Sequence, residues 1–193
     1  MRKTGKAAYV SEDELNITME SLKGKNCIRN RAVLLASHFM GLRAKEMAAL
    51  KIGDVYDFRS GTLKETIRLL AAYTKGSKYR EVFLMDKKAR SLMLEYINTR
   101  PEARPEDPLF LSQKGYAFSA NTMQRMIGRL YKNAGIKASS HSGRRSFATR
   151  LIRKNVDIYS VQQLLGHSNI NTTQEYFVSD PELLRSKVLV LSQ

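Results

Sequence analysis

Residues 164–176 read LLGHSNINTTQEY, and this segment joins the end of an apolar helix to a second short helix. The first helix is predicted over 157–165, with Asp157 as its N-cap, and Gly166 ends it. His167 follows at once, and Tyr176 lies within a second helix predicted over 171–177. Taken singly, a histidine at such a helix end more often caps carbonyls, and a lone tyrosine more often packs half-buried.

Upstream of this segment, residues 141–151 read HSGRRSFATRL and begin a helix predicted over 142–154. His141 and Arg144 are three residues apart, so they share one side of the first turn, beside backbone N–H groups that have no helical partner. That arrangement suits a phosphate. A histidine and an arginine at this spacing also occur often by chance, so the pair alone does not establish a site.

Two further segments carry polar residues in unusual settings. Residues 41–55 read GLRAKEMAALKIGDV, where Arg43 follows a break at Gly41 and Glu46 lies on the same helical face. Alone, such a pair is usually a surface ion pair. Residues 73–84 read YTKGSKYREVFL and predict a hairpin between strands at 66–73 and 80–84, with Lys75 and Lys78 at its basic tip.

The composition narrows the class of partner. The chain has 193 residues, 33 Lys plus Arg against 18 Asp plus Glu, and a net charge of +15. Residues 110–156 contain ten Lys or Arg and no acid, which predicts an acidic polymer as partner. Aromatic residues make up 8% and Trp is absent, so duplex backbone contact is favoured over single-strand stacking.

Other classes of function are disfavoured. One cysteine, Cys27, and three histidines leave no disulfide framework and little material for a metal centre, so no metal or cofactor is expected. No apolar run reaches the ~18 residues of a membrane span. These features predict a soluble protein of a reducing compartment, with no membrane partner.

The remaining pattern predicts an α+β fold that is mainly helical, with one small antiparallel sheet. A capping box at Ser11 and Glu14 begins a helix that ends near Gly24. Residues 1–10 are predicted as a flexible basic tail, 51–61 as turns, and 11–193 as a single domain. Further helices are predicted at 26–40, 43–50, 89–98, 119–133 and 181–191.

The order of these motifs resembles the tyrosine recombinase (phage integrase) family. LLGHSNINTTQEY is close to that family's last motif, GLRAKEMAALKIGDV resembles its first arginine motif, YTKGSKYREVFL its lysine hairpin and HSGRRSFATRL its second motif. Four motifs in this order are far more specific than any one of them. The resemblance covers the chain from about Ser11 to Leu191 and implies the family's catalytic-domain fold.

The resemblance also implies a reaction and roles for the residues. The reaction is DNA strand cleavage and rejoining without metal or nucleotide, through a 3′-phosphotyrosyl link to Tyr176. Arg43 and Arg144 would clamp the phosphate oxygens. His141 would act as a base or proton relay, and Lys75 as the general acid. His167 would contact the phosphate or hold the tyrosine. Glu46 would be the carboxylate that orients Arg43.

Several alternatives remain open. Many relatives carry His where Arg145 stands; Arg145 could contact the DNA backbone or pair at the surface. Relatives also have a DNA-clamping domain before the catalytic one, so this chain is either a fragment or a short member like the fimbrial phase-switch invertases. Residues 181–193 could dock on their own domain or on a neighbouring subunit.

The predicted function is therefore a site-specific DNA recombinase of integrase or invertase type. The partner is double-stranded DNA, with a tetramer on DNA, a monomer when free, and a cytoplasmic location associated with the nucleoid. A relaxing topoisomerase or a DNA-binding regulator without catalysis are the alternatives. DNA-reading candidates on the 119–133 helix are Asn121, Gln124 and Arg125, although part of that face could belong to the core.

Overall fold

Nine helices and four short strands form the part of the chain described by the computed structural model, which comprises residues 7–71 and 79–177 with Arg185 and Val188. The helices are α1 (Glu12–Ser21), α2 (Cys27–Met40), α3 (Ala44–Ala49), α4 (Ile52–Val55), α5 (Lys87–Asn98), α6 (Ala120–Asn133), α7 (Ser142–Arg153), α8 (Ile158–Leu165) and α9 (Ile170–Phe177). The strands are β1 (Tyr56–Asp57), β2 (Thr62–Leu63), β3 (Thr66–Leu69) and β4 (Arg80–Phe83).

Helix α2 lies at the centre of the domain. Its residues from Ala32 to Ala36 are at most 1% exposed, as expected for a helix that is apolar on most sides. It packs against α5 and α7. Gly41 ends it in the left-handed conformation (φ 62°), and a Cβ there would lie 2.6 Å from Cδ1 of Phe147, so the chain turns here only because glycine is present.

The mainly helical fold is confirmed, and the predicted small sheet is the antiparallel pair β3–β4. Ile67 and Val82 face each other across this pair and point inward, while Arg68 and Glu81 lie on the outer face. The hairpin tip falls within residues 72–78, outside the described residues. The prediction of turns over 51–61 is wrong in part: helix α4 begins there because the Asp54 carboxylate accepts the Lys51 backbone N–H, and β1 pairs with β2 in a second two-stranded sheet.

Helix starts agree with the capping predictions. Ser11 and Glu14 form both bonds of the capping box, and Asp157 accepts two backbone N–H bonds at the start of α8. For α6, where either Ser119 or Asn121 could be the cap, the structure has Ser119. The first helix is shorter than predicted: it ends at Ser21, because Leu22 adopts an extended conformation before Gly24 is reached.

The packed domain begins before residue 11, which is the predicted boundary. Val10 is 3% exposed, and its backbone N–H donates to Ser146 Oγ at 2.8 Å. The side chain of Arg153 lies over the ring of Tyr9 at 4.9 Å. Residues 1–6 of the predicted tail lie outside the described residues. So does the predicted helix at 181–191, apart from Arg185 and Val188, which are helical and exposed.

A second, smaller apolar cluster supports the last two described helices. Its buried members come from α7 and α8, namely Ala148, Ile152, Val161 and Leu165. Tyr176 and Phe177 of α9 pack against it. The cluster therefore fixes α8 and α9 to α7, and with them the segment 164–176. Within the described residues, no helix is both long and apolar enough to cross a membrane.

Candidate active site

Three arginines from distant parts of the chain meet at the C-terminal end of α8. Arg80 Nη1 donates to the carbonyl of Leu164 at 2.6 Å, Arg144 Nη2 donates to that of Leu165, and Arg43 Nη2 reaches that of Gly166 at 3.4 Å. Carbonyls at a helix C-terminus lack helical partners and carry partial negative charge, so they attract guanidinium groups. This arginine cluster, Arg43, Arg80 and Arg144, is the centre of the site.

Glu46 is the carboxylate that two of these arginines share. Its side chain is fully buried, and it accepts bonds from Arg43 Nη1 (2.8 Å), the Arg43 backbone N–H (2.7 Å) and Arg80 Nη2 (2.6 Å). Burial alone would raise the pKa of Glu46, but the charge and hydrogen bonds of Arg80 and the backbone N–H of Arg43 hold that pKa below its usual range. Glu46 is therefore ionised at neutral pH.

Arg144 is held by backbone carbonyls at both ends of its guanidinium. Besides Leu165 it donates from Nη1 to Gly41 O at 2.6 Å, which connects α7 to the end of α2. Burial and the charges of Arg43 and Arg80 lower the pKa of Arg144 to about 9, so it remains protonated at neutral pH. Its charge is thus kept in a desolvated place beside two like charges, and an anion bound there would relieve the repulsion.

Gly143 lets α7 approach α2 closely enough to place Arg144. A Cβ at this position would lie 2.4 Å from Ser37 Oγ and 2.8 Å from Cδ2 of His38, both on α2. Real Cβ atoms do not come this close to their neighbours, so a larger residue would push α7 away. The motif that the sequence predicts as a phosphate site therefore also has a packing role.

His167 follows the turn at Gly166 and faces α9. Its Nδ1 lies 2.9 Å from Thr173 Oγ1, and its ring stacks on that of Tyr176 with centroids 6.0 Å apart and an angle of 19°. Burial and the charges of Arg144, Arg43 and Arg80 lower the pKa of His167 to about 3. It is therefore neutral at physiological pH, and with Nδ1 bonded to Thr173 its Nε2 remains for a second hydrogen bond.

Tyr176 and His141 line one cavity of about 290 Å³, together with Arg145 and Glu175. The guanidinium of Arg145 lies 5.4 Å from the centre of the Tyr176 ring. His141 is exposed at the N-cap of α7; partial burial of its ring and the charges of Arg144 and Arg43 lower its pKa. The tyrosine and the histidine predicted to act on it are thus open to the same solvent-filled space.

A larger groove lies at the end of α8. It has a volume of about 650 Å³ and is lined by Arg43, Arg80 and His167, and by the exposed aromatic rings of Tyr79 and Phe83. A polyanion that lies along this groove would meet Arg43, the most exposed of the three arginines. Among the described residues, no group of three His, Cys, Asp or Glu side chains could hold a metal ion.

The structure brings together five of the six predicted catalytic residues, Arg43, His141, Arg144, His167 and Tyr176, with Glu46. The sixth, Lys75, lies outside the described residues, as does Lys78. Asn121, Gln124 and Arg125 are exposed on α6, whose core face is formed by Met123, Ile127, Leu130 and Tyr131. The three candidates therefore do not belong to the core, and contact with DNA stays a prediction for them and for Arg145.

Arg80 is the site residue that sequence reasoning missed. Its side chain is 7% exposed, and it contacts both Glu46 and the end of α8. A signal was present: in the strand REVF, alternation puts Arg80 on the same face as the buried Val82. A charged residue at an inward strand position needs a partner, and here that partner is Glu46.

Comparison with solved structures matches this architecture. The crystal structure of XerA recombinase aligns with a TM-score of 0.77 and 30% identity, over 100% of this chain and 66% of that one. XerH site-specific recombinase bound to palindromic difH substrate, in its post-cleavage complex, aligns with a TM-score of 0.71 and 30% identity, over 97% of this chain and 54% of that one. The fold is that of a tyrosine recombinase catalytic domain.

Sequence comparison places the chain within a family. Residues 8–182 match the phage integrase family. The chain is 32% identical over 177 residues to tyrosine recombinase XerC of Lactobacillus delbrueckii subsp. bulgaricus, covering 87% of this chain and 57% of that protein. The chain belongs to the phage integrase family, and it spans about half the length of the curated relatives it matches.

Proposed function

We propose that this chain is the catalytic part of a site-specific DNA recombinase of integrase or invertase type, which cleaves and rejoins DNA through a 3′-phosphotyrosyl intermediate. One observation carries the proposal: the arginine cluster at the end of α8 lies next to His167, which stacks on Tyr176 of the same chain. A cationic phosphate site and a nucleophile of the right kind are therefore adjacent.

The arginine cluster supplies electrostatic stabilisation. A phosphodiester is a poor electrophile because its charged oxygens repel a nucleophile, and more negative charge develops on them in the transition state. Arg43 and Arg144 would each donate to a non-bridging oxygen, and Nε2 of His167 would add a third contact. Glu46 would orient Arg43 from behind, since it already holds both the side chain and the backbone N–H of that residue.

Proton transfer completes the reaction. The Tyr176 oxygen would attack phosphorus as its proton passes to His141 or through water, and the bond from phosphorus to the 5′ oxygen would break. Lys75 would give that leaving oxygen its proton. The new phosphotyrosyl ester replaces one phosphodiester bond with another, so the reverse attack by a 5′ hydroxyl rejoins DNA without a nucleotide cofactor.

The proposed partner is double-stranded DNA. Support comes from the acid-free basic stretch at 110–156 and from the relative XerH, whose structure was determined with its difH substrate. Arg145, Lys78, Asn121, Gln124 and Arg125 are the proposed DNA contacts. We further propose assembly as a tetramer on DNA, in the cytoplasm and associated with the nucleoid.

Covalent capture tests the proposal even when the target sequence has not been identified. The chain is incubated, without metal, with a library of nicked duplexes that carry a randomised core, and DNA bound covalently to protein is isolated in detergent and sequenced. We expect an enriched sequence for the wild type and none for Tyr176→Phe. Tyr116→Phe is the matched control, because Tyr116 is 73% exposed in the turn before α6 and should not matter.

Two outcomes would contradict the proposal. An adduct that persists in Tyr176→Phe would assign the nucleophile elsewhere. Duplex binding by the wild type with no adduct on any library member would favour a DNA-binding regulator. Once a target is enriched, two copies on one plasmid show whether the product is recombined or only relaxed.

A further inference from the structure

Arg80 has no role in the proposed reaction, although its nearly buried side chain joins three parts of the site. It belongs to β4, yet its guanidinium spans from Glu46 on α3 to the Leu164 carbonyl of α8. Its Nη2 and Nε reach the two oxygens of Glu46 at 2.6 and 3.3 Å. With 7% of its side chain exposed, it cannot present a free face to DNA as Arg43 does with 24%.

The turn before His167 is shaped around this side chain. Gly166 has a left-handed conformation (φ 60°), and a Cβ there would lie 2.5 Å from Cδ of Arg80. The stem of Arg80 therefore occupies the space that any other residue at 166 would fill. Movement of Arg80 would be transmitted directly to the backbone from Leu164 to Gly166, which holds Arg144 and Arg43 and leads into His167.

Arg80 also determines how much positive charge the site offers to an anion. Arg43 and Arg80 share one carboxylate, so Arg43 is only partly neutralised by Glu46. Without Arg80, the buried Glu46 would pair with Arg43 alone, and that pair would neutralise the charge of Arg43. Arg80 thus leaves Arg43 able to bind a second anion.

We propose that Arg80 is a positioning residue: by holding Glu46 and the 164–166 turn, it keeps Arg43 and His167 aimed at the scissile phosphate and keeps Arg43 from being neutralised. The expected effect of Arg80 on the rate of adduct formation rests on the proposed function. The expected effect of Arg80 on the pKa of His167 concerns the chain without DNA and is independent of strand transfer.

The kinetic test compares Arg80 variants with the wild type in single-turnover adduct formation on the captured target DNA. The rate at saturating DNA and the Kd for that DNA are measured separately. In Arg80→Met we expect a rate loss of about 100-fold, the size expected when reacting groups are misaligned, with little change in Kd. Arg80→Lys, which keeps the charge, should be intermediate. In the double variant Arg80→Met with Glu46→Gln, we expect recovery of about fivefold or more, because Arg43 is no longer neutralised.

Arg90→Met is the matched control for loss of a structural arginine. Arg90 donates to the carbonyls of Leu84 and Leu63 at 3.0 Å each, away from the site. Its removal should lower the thermal midpoint and leave the rate of adduct formation within about twofold. If Arg80→Met behaves like Arg90→Met, the positioning role is wrong. If Glu46→Gln gives no recovery, the claim that Arg80 keeps Arg43 from being neutralised is wrong.

The second readout is the NMR titration of the histidines in the free chain. His167 is faced by Arg43, Arg80, Arg144, Glu46 and Tyr176, and its pKa of about 3 reflects burial and those three cations. Loss of Arg80 removes one cation, so the pKa of His167 should rise by about one unit. His38, buried elsewhere with its own pKa of about 3, is the internal reference and should not move.

The two readouts separate the two proposals. A selective shift of His167 with no adduct from the wild type would support the coupling of Arg80 to the site and overturn strand transfer. A normal adduct rate in Arg80→Met, with His167 unmoved, would overturn the role of Arg80 and leave strand transfer intact. A rise in the pKa values of both His167 and His38 would indicate general loosening of the fold. That result would also overturn the proposed role of Arg80.

Discussion

Replacing Glu46 by Gln tests whether the arginine cluster is held together by one charge. The substitution preserves size and removes the charge of a carboxylate that accepts from Arg43 Nη1 and its backbone N–H and from Arg80 Nη2 and Nε. Gln offers one oxygen, and its NH₂ group would face guanidinium donors. The cluster would then hold three cations with no anion among the side chains that bond them.

The expected loss follows from the burial of the two partners. Removing one partner of a buried ion pair costs about 3–5 kcal/mol, because the remaining charge is left desolvated. Arg80, at 7% exposure, bears this cost nearly in full. Arg43, at 24%, recovers most of its share from water and adds little, so we expect a total within the range for one buried pair, about 3–5 kcal/mol.

Urea denaturation measures this difference, with the urea dependence of the unfolding free energy required to stay unchanged. The folded-state pKa of Glu46 lies below its unfolded value of about 4.3, so its stabilisation is complete above that pH and is lost as the pH falls through the folded value. The difference between wild type and Glu46→Gln should therefore shrink on acidification.

Glu81→Gln is the control, because Glu81 is 46% exposed and pairs with Arg68, which is 83% exposed. Its removal should change the unfolding free energy by less than about 0.5 kcal/mol. A loss below about 1 kcal/mol in Glu46→Gln, or a loss that does not depend on pH, would refute the argument that Glu46 is the ion that holds the cluster.

Two further predictions concern the packing around the site. Gly143→Ala should lower stability by about 1–3 kcal/mol in thermal denaturation, because its Cβ would clash with Ser37 Oγ. Gly128→Ala is the control: Gly128 lies on α6, and a Cβ there would have no neighbour within 4 Å, so this substitution should stabilise by about 0.5–1 kcal/mol. Burial and the charge of Arg150 lower the pKa of His38 to about 3, so the unfolded chain binds a proton near pH 6.5 that the folded chain does not. His38 should contribute a fall in stability of about 1.4 kcal/mol per pH unit below that pH, beside a like contribution from His167, whose pKa is also about 3. His38→Gln should therefore make the slope shallower by about that amount, and an equal slope in both proteins would contradict the prediction.

Much of the fold could be predicted because local signals decide it. The capping box at Ser11 and Glu14 and the N-cap at Asp157 fix helix starts through bonds within four residues, and sequence shows such bonds directly. The β1–β2 pair could not be found in this way. Its strands have two residues each, too short for an alternating pattern to be distinguished from turns.

The site was predicted in its parts but not in its connections. The motifs identified Arg43, Arg144 and His167, each beside a glycine or a helix end. The two arginines donate to backbone carbonyls at Gly41, Leu165 and Gly166, and a backbone carbonyl has no signature in sequence. Strand alternation indicated that Arg80 points inward, but its partners lie 34 and 84 residues away, and sequence alone does not identify contacts at that separation.

Because three arginines bind the carbonyls of residues 164–166, the arginine cluster can form only at a late stage of translation. The cluster joins positions 43, 80 and 144 to carbonyls that leave the ribosome after all of them, and Tyr176 follows later still. When only α1 to α7 have left the ribosome, the nascent chain contains the three arginines. It contains neither the carbonyls of residues 164–166 that bind them nor Tyr176. The proposed DNA cleavage is therefore impossible for any translation product that stops short of Tyr176, and it requires that α8 and α9 have packed on α7.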